Sequence, residues 1–124
     1  MSDFKKLHVW HKAHALALTI DRLSKKIRAS QYASLRNQIF RAALSIPANI
    51  AEGRRKTSEK EFARFLRIAL NSGCELEYHL IVARDLGVIA EAASDALLRE
   101  AIEVRKMIHG LSRKIGANPK KRAS

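Results

Sequence analysis

The stretch from Ser34 to Gly53, SLRNQIFRAALSIPANIAEG, decides how the rest of the chain is read. Leu35, Ile39, Ala42, Ile46, Ile50 and Gly53 recur at steps of three and four, the repeat of one helical face. Pro47 falls inside this pattern, where its ring removes a backbone donor and bends a helix. The apolar repeat continues past it, which predicts one bent helix over 34–52. Gly53 is expected to cap that helix, since glycine reaches left-handed dihedrals at low cost.

The same spacing extends outward in both directions. Val9, Ala13, Leu16, Ile20, Leu23 and Ile27 predict a helix over 10–28. Downstream, Arg54, Arg55 and Lys56 form a basic connection, and Ser58 with Glu61 fits a capping box. Phe62, Phe65, Leu66, Ala69, Gly73, Leu76, Leu80 and Ala83 predict a helix over 58–86 that stops at Leu86 and Gly87. Leu97, Ala101, Val104, Ile108, Leu111 and Ile115 predict a fourth over 93–115, with Ser94 a candidate cap and Gly116 the end. The connections are short, so sequential helices are expected to lie antiparallel. The expected fold is all-α: an antiparallel up-down-up-down four-helix bundle over 1–116, then a basic, disordered tail over 117–124.

A chain of 124 residues fits one domain. Its one cysteine, Cys74, excludes an internal disulfide framework and a thiolate zinc pair. The amino terminus has no apolar segment behind its charges, and no window approaches the ~18 apolar residues of a membrane span. A cytoplasmic protein with no membrane partner is expected. With 24 Lys and Arg against 12 Asp and Glu, the net charge is +12, which favours a polyanionic partner. The excess is uneven: residues 1–60 carry 13 basic and 4 acidic side chains. Bundle topology would gather Lys5, Lys6, Lys12, Arg54, Arg55, Lys56, Lys60, Arg113, Lys114, Lys120, Lys121 and Arg122 at one end, against Asp3, Glu52, Glu59 and Glu61. These residues are the candidate nucleic-acid contacts. Their types suit phosphates and contain no base-reading pattern. A solvated, solubilising surface accounts for the same charges.

The chain offers little for catalysis. Glu75 and His79 are four apart, not in the Glu-x-x-His spacing of carboxylate di-metal bundles, and there is no second pair. His8, His11 and His14 allow a zinc reading or an interfacial one. Cys74 lies among apolar positions, no glycine loop for phosphate is present, and neither a cofactor nor a small-molecule substrate is expected. Trp10 is the one aromatic placed near the basic end, with Tyr32 and Tyr78 isolated, which disfavours an aromatic platform for single strands. Arg41, Ser45, Asn49 and Glu52 form a polar stripe beside the apolar one, and Ser72 with Glu75 stand similarly on the third helix. Two readings fit this stripe: a solvated face, or a polar network between helices or subunits that fixes register.

The segment Gln38 to Gly53, QIFRAALSIPANIAEG, resembles the signature of the four-helix-bundle proteins encoded in 23S rRNA intervening sequences. Phe4, Leu7, Val9, Trp10, Lys12 and Ala13 resemble that family's opening. Ser58, Glu61, Phe62, Phe65, Leu66, Ile68, Ala69, Ser72, Glu75, Leu76 and Glu77 resemble its third helix. Phe40 stands where the family often has an arginine before Arg41. The resemblance implies a homopentamer of antiparallel bundles closed into a ring, with no enzymatic activity. The chain is also similar to the accessory subunit of diversity-generating retroelements, which associates with a reverse transcriptase and nucleic acid. The expected function is therefore a non-catalytic oligomer associated with nucleic acid, RNA before DNA. The alternative is an assembly or adaptor protein with a protein partner, its charge only solubilising.

Overall fold

The computed structural model describes residues 3–116. The expected tail over 117–124, with Lys120, Lys121 and Arg122, lies outside the described residues. Four helices follow in order: α1 (His8–Ser24), α2 (Ala33–Arg54), α3 (Glu59–Asp85) and α4 (Glu91–Gly116). Short 3-10 turns at Phe4–Lys6 and Ser30–Tyr32 precede α1 and α2, and no strand occurs among the described residues.

The apolar stripes enter one shared core. Ile20, Ile39, Ile46, Ile50, Phe62, Leu66, Leu76, Leu80, Val104 and Ile108 are almost wholly removed from solvent. Burying one such side chain contributes roughly 1.5–3 kcal/mol relative to leaving it in water. Partner positions fix how neighbouring helices run. Gly53 meets Phe62 and Phe65, whereas Ser45 meets Ser72, so α2 and α3 run in opposite directions. Arg84 reaches Asp95 and Arg105 reaches Glu77, so α3 and α4 do the same. Helix α1 packs on both α2 and α4.

Several expected boundaries shift for local reasons. Helix α1 begins at His8 and ends at Ser24, not over 10–28. Beyond it the chain tightens, with Lys26 donating to the Leu23 carbonyl and Ile27 to that of Ser24. Ile27 keeps its place in the core as part of this turn. Arg36 donates to the Ile27 carbonyl and ties the turn to α2. Helix α2 is continuous through Pro47, which is buried. Helix α4 starts at Glu91, and Ser94 is a buried residue of its first turn rather than its cap.

The helix ends separate two glycines that look alike in sequence. Gly87 has φ +71° and terminates α3: Val88 donates to the Ala83 carbonyl and Gly87 to that of Arg84, the paired bonds of a Schellman cap. Gly53 is not a cap. It lies within α2, without a positive φ, where a Cβ would stand 2.7 Å from Phe65 Cβ and 3.0 Å from Phe62 Cδ1. Its role is to let two helices approach. At the start of α3 only half of the expected capping box forms. Ser58 Oγ accepts from the Glu61 amide at 3.1 Å, while the Glu61 carboxylate accepts from Arg64 Nε at 3.1 Å. The Arg64 hydrogen bond holds Glu61 below the usual carboxylate range. Its small contribution to stability is therefore present at neutral pH and is lost as acid protonates the carboxylate in the folded state.

The two kinds of helical glycine give opposite expectations. Gly53→Val should destabilise by about 1–3 kcal/mol, because Phe65 Cβ is anchored to backbone and cannot swing away. At Gly110 a Cβ would meet nothing within 4 Å, so Gly110→Ala should stabilise by up to about 1 kcal/mol through helix propensity. Urea denaturation of the two variants checks the opposite signs.

Candidate nucleic-acid interface

The basic end is built from four segments. The Gly53 contact brings the end of α2 against the start of α3. The 3-10 turn Phe4–Lys6 packs against α2. Leu7, His8 and Val9 line one shallow depression together with Met107, Gly110, Leu111 and Lys114, which joins the start of α1 to the end of α4. Lys5, Lys6, Arg55, Lys60, Arg113 and Lys114 are exposed there and form no ion pair with another described residue.

Three expected members are engaged differently. Lys12 is half buried and turns towards α4, with Nζ 3.8 Å from Glu100 Oε2. Lys56 pairs with Glu52 at 3.1 Å and lies over the Phe65 ring at 5.3 Å. Arg54 lies over the Phe62 ring at 5.7 Å, with its Nε enclosed and without a hydrogen-bond partner among the described residues. Arg54 and Lys56 thus cover the aromatic edge of the core. Arg64, absent from the expected set, does the same on Phe65 at 4.5 Å.

The polar stripe divides in a similar way. Ser45 Oγ and Ser72 Oγ are 2.7 Å apart across the α2–α3 seam. Asn49 Nδ2 donates to the Ser45 carbonyl at 2.8 Å and to Ser45 Oγ at 3.0 Å. A shallow depression joins Gln38, Arg41, Ala42, Ser45, Ser72 and Glu75. Glu75 Oε1 lies 3.3 Å from His79 Nε2, and Glu52 turns away to Lys56. Arg41 is exposed and has neither a hydrogen bond nor an ion pair with another described residue. An inter-helix network therefore exists for Ser45, Asn49 and Ser72. It does not extend to Glu52.

The histidines are used locally. A carbonyl can only accept, so His11 Nε2 donates to the Lys5 carbonyl at 2.6 Å. His14 stacks on Trp10, with centroids 4.8 Å apart and planes within 8°. Phe4 meets Trp10 edge-on at 5.0 Å. Trp10 is therefore not the lone aromatic of this end. Sequence reasoning missed Phe4 and His14 because an irregular turn brings the first of them in. Among the described residues, no three His, Cys, Asp or Glu side chains gather as metal ligands, and no helix is long and apolar enough to cross a membrane.

A protein of four helices whose α2 holds a buried proline, and whose α2–α3 contact carries a close-approach glycine and a seam of small polar residues, is a helical packing module. Similarity to known proteins places it within a family. Residues 5–110 match the 23S rRNA-intervening sequence protein family, and the chain belongs to that family. It is similar to the 1.70 Å crystal structure of a protein of unknown function of the S23 ribosomal protein family from Bacteroides thetaiotaomicron VPI-5482. The TM-score is 0.79 at 28% identity, covering 84% of this chain and 97% of that one. No protein of curated function matches.

The seam yields a measurable coupling. In a double-mutant cycle, Ser45→Ala and Ser72→Ala should each destabilise. Their interaction energy should be about 0.5–1.5 kcal/mol, the net worth of one partly buried hydrogen bond.

Proposed function

We propose that the protein is a non-catalytic helical bundle that associates with nucleic acid, RNA before DNA, through its basic end. The observation that carries this reading is the set of exposed cations from four segments that form no ion pair with another described residue: Lys5, Lys6, Arg55, Lys60, Arg113 and Lys114. Cations that neutralise phosphates displace bound counterions, and that release supplies affinity. Lys12, Arg54 and Lys56 contribute less to this surface, since each is partly occupied within the fold.

In this reading the four helices form an antiparallel up-down-up-down bundle. Copies close into a ring, five by family resemblance, so several basic ends act together in the cytoplasm. No cofactor takes part. The pairwise directions of α2 with α3 and of α3 with α4 support the topology. A protein-binding adaptor is the second reading, favoured by exposed apolar side chains at Leu44, Tyr78 and Leu86.

Affinity for generic RNA and DNA, measured against salt, separates the two. A linear fall of log affinity with log salt is expected. Arg55→Gln with Lys60→Gln should flatten the slope by about 0.7–0.9 for each phosphate no longer neutralised. Lys12→Gln should leave it nearly unchanged. Absence of binding at low salt overturns the reading and leaves the adaptor. Light scattering that gives a monomer overturns the ring.

A further inference from the structure

The aromatic cluster at the start of α1 is more than core. Trp10 is half buried and joins the packing of the core, whereas His14, stacked on it, is exposed. The two rings are close to parallel, the arrangement by which one flat π-surface extends another. Phe4 closes against Trp10 from the 3-10 turn, and His11 bonds the Lys5 carbonyl of the same turn. These contacts hold the backbone of the turn that carries Lys5 and Lys6 against the start of α1. Both lysines are exposed and unpaired with other described residues, while the Asp3 carboxylate is occupied in capping the Lys5 amide at 2.9 Å. An exposed ring stacked on another, next to a turn with two exposed lysines, is the combination that single-stranded nucleic acid engages: a base face and its flanking phosphates.

We propose that the Trp10–His14 stack is a stacking site for an unpaired base of single-stranded nucleic acid, with Lys5 and Lys6 on the adjoining phosphates. This deepens the nucleic-acid reading above and rests on it. His14 offers a ring face already ordered by Trp10, so little rotamer freedom is lost when a base settles on it. Every base has such a face, so recognition is tolerant of sequence and selects single strands over duplexes, whose bases are stacked among themselves. The stack neither reads base edges nor performs chemistry.

Trp10 is the chain's one tryptophan, so its fluorescence reports on this site alone. The full chain is titrated at low salt with a short oligoadenylate RNA, the DNA of the same sequence, and a duplex of equal phosphate count. Saturable quenching of Trp10 by both single strands, and weaker quenching by the duplex, is expected. His14→Ala should weaken single-strand affinity by about 5- to 100-fold, the loss of one stacked base, and leave duplex affinity unchanged. His14→Phe should restore single-strand affinity, because it keeps a ring and removes only the imidazole. Circular dichroism of each variant checks that α1 is retained. If the strands bind but Trp10 emission does not change, or if His14→Ala binds as tightly as the parent chain, the stacking site is overturned while the basic end stands. If nothing binds at low salt, both readings fall together.

Discussion

A methyl group added at Gly53 would lie 2.7 Å from Phe65 Cβ, closer than side-chain carbons approach, and much else depends on that absent methyl. The close passage seats Phe62 in the core with 2% of its surface exposed and leaves Phe65 half covered at the edge. Arg54, Lys56 and Arg64 then lie over the two rings as cations on aromatic faces. The turn 55–58 between α2 and α3 is short because the helices it joins are already in contact. Farther along the same seam, the approach is still close enough for the Ser45 and Ser72 hydroxyls to bond. The polar network and the position of the basic turn are thus consequences of one packing constraint.

That constraint explains why the basic run Arg54 to Lys56 does not present three free cations. The run Arg54, Arg55, Lys56 reads as three equivalent cations. In the fold, α2 continues through Arg54, so the three point in different directions. Arg55 faces solvent, Arg54 is drawn over Phe62, and Lys56 reaches back one turn to Glu52. An exposed pair such as Lys56–Glu52 contributes little stability in water. It still competes with a phosphate for the lysine, which lowers the counterion gain from that position. Charge density along a sequence is therefore a poor measure of the charge a surface presents to a polyanion.

The helices were legible because their signal is periodic and repeated. Every stripe position from Val9 to Ile20, from Ile39 to Ile50 and from Leu97 to Ile108 falls on the buried face expected of it. What the periodicity misjudged lies at the ends. Ile27 keeps the apolar spacing, so the first helix reads as longer than it is, yet burial there is achieved by a turn. Gly53 and Gly87 each end an apolar run, and only φ separates a cap from a contact point. The candidate site was legible as a charge total and as a set of residues. Which cations are occupied was not, because their partners lie on other helices, as Glu100 does for Lys12, or in the core, as Phe62 does for Arg54.

The aromatic cluster marks the same limit from the other side. Phe4 precedes the first helix, and no periodic pattern connects it to Trp10. Their contact arises because Asp3 caps the short turn and His11 bonds the Lys5 carbonyl, folding the segment back onto α1. Once that turn forms, His8, His11 and His14 cease to be equivalent. His8 is exposed, His11 is committed to backbone, and His14 continues the ring of Trp10. Three histidines at a spacing of three suggest a metal when read along the chain. In the fold they lie beside two lysines that have no carboxylate partner among the described residues. Among the described residues, no three His, Cys, Asp or Glu side chains come together there as a ligand set. A ring stack next to exposed lysines suits the proposed planar, anionic ligand better than a cation, and that chemistry agrees with the sign of the whole protein's charge.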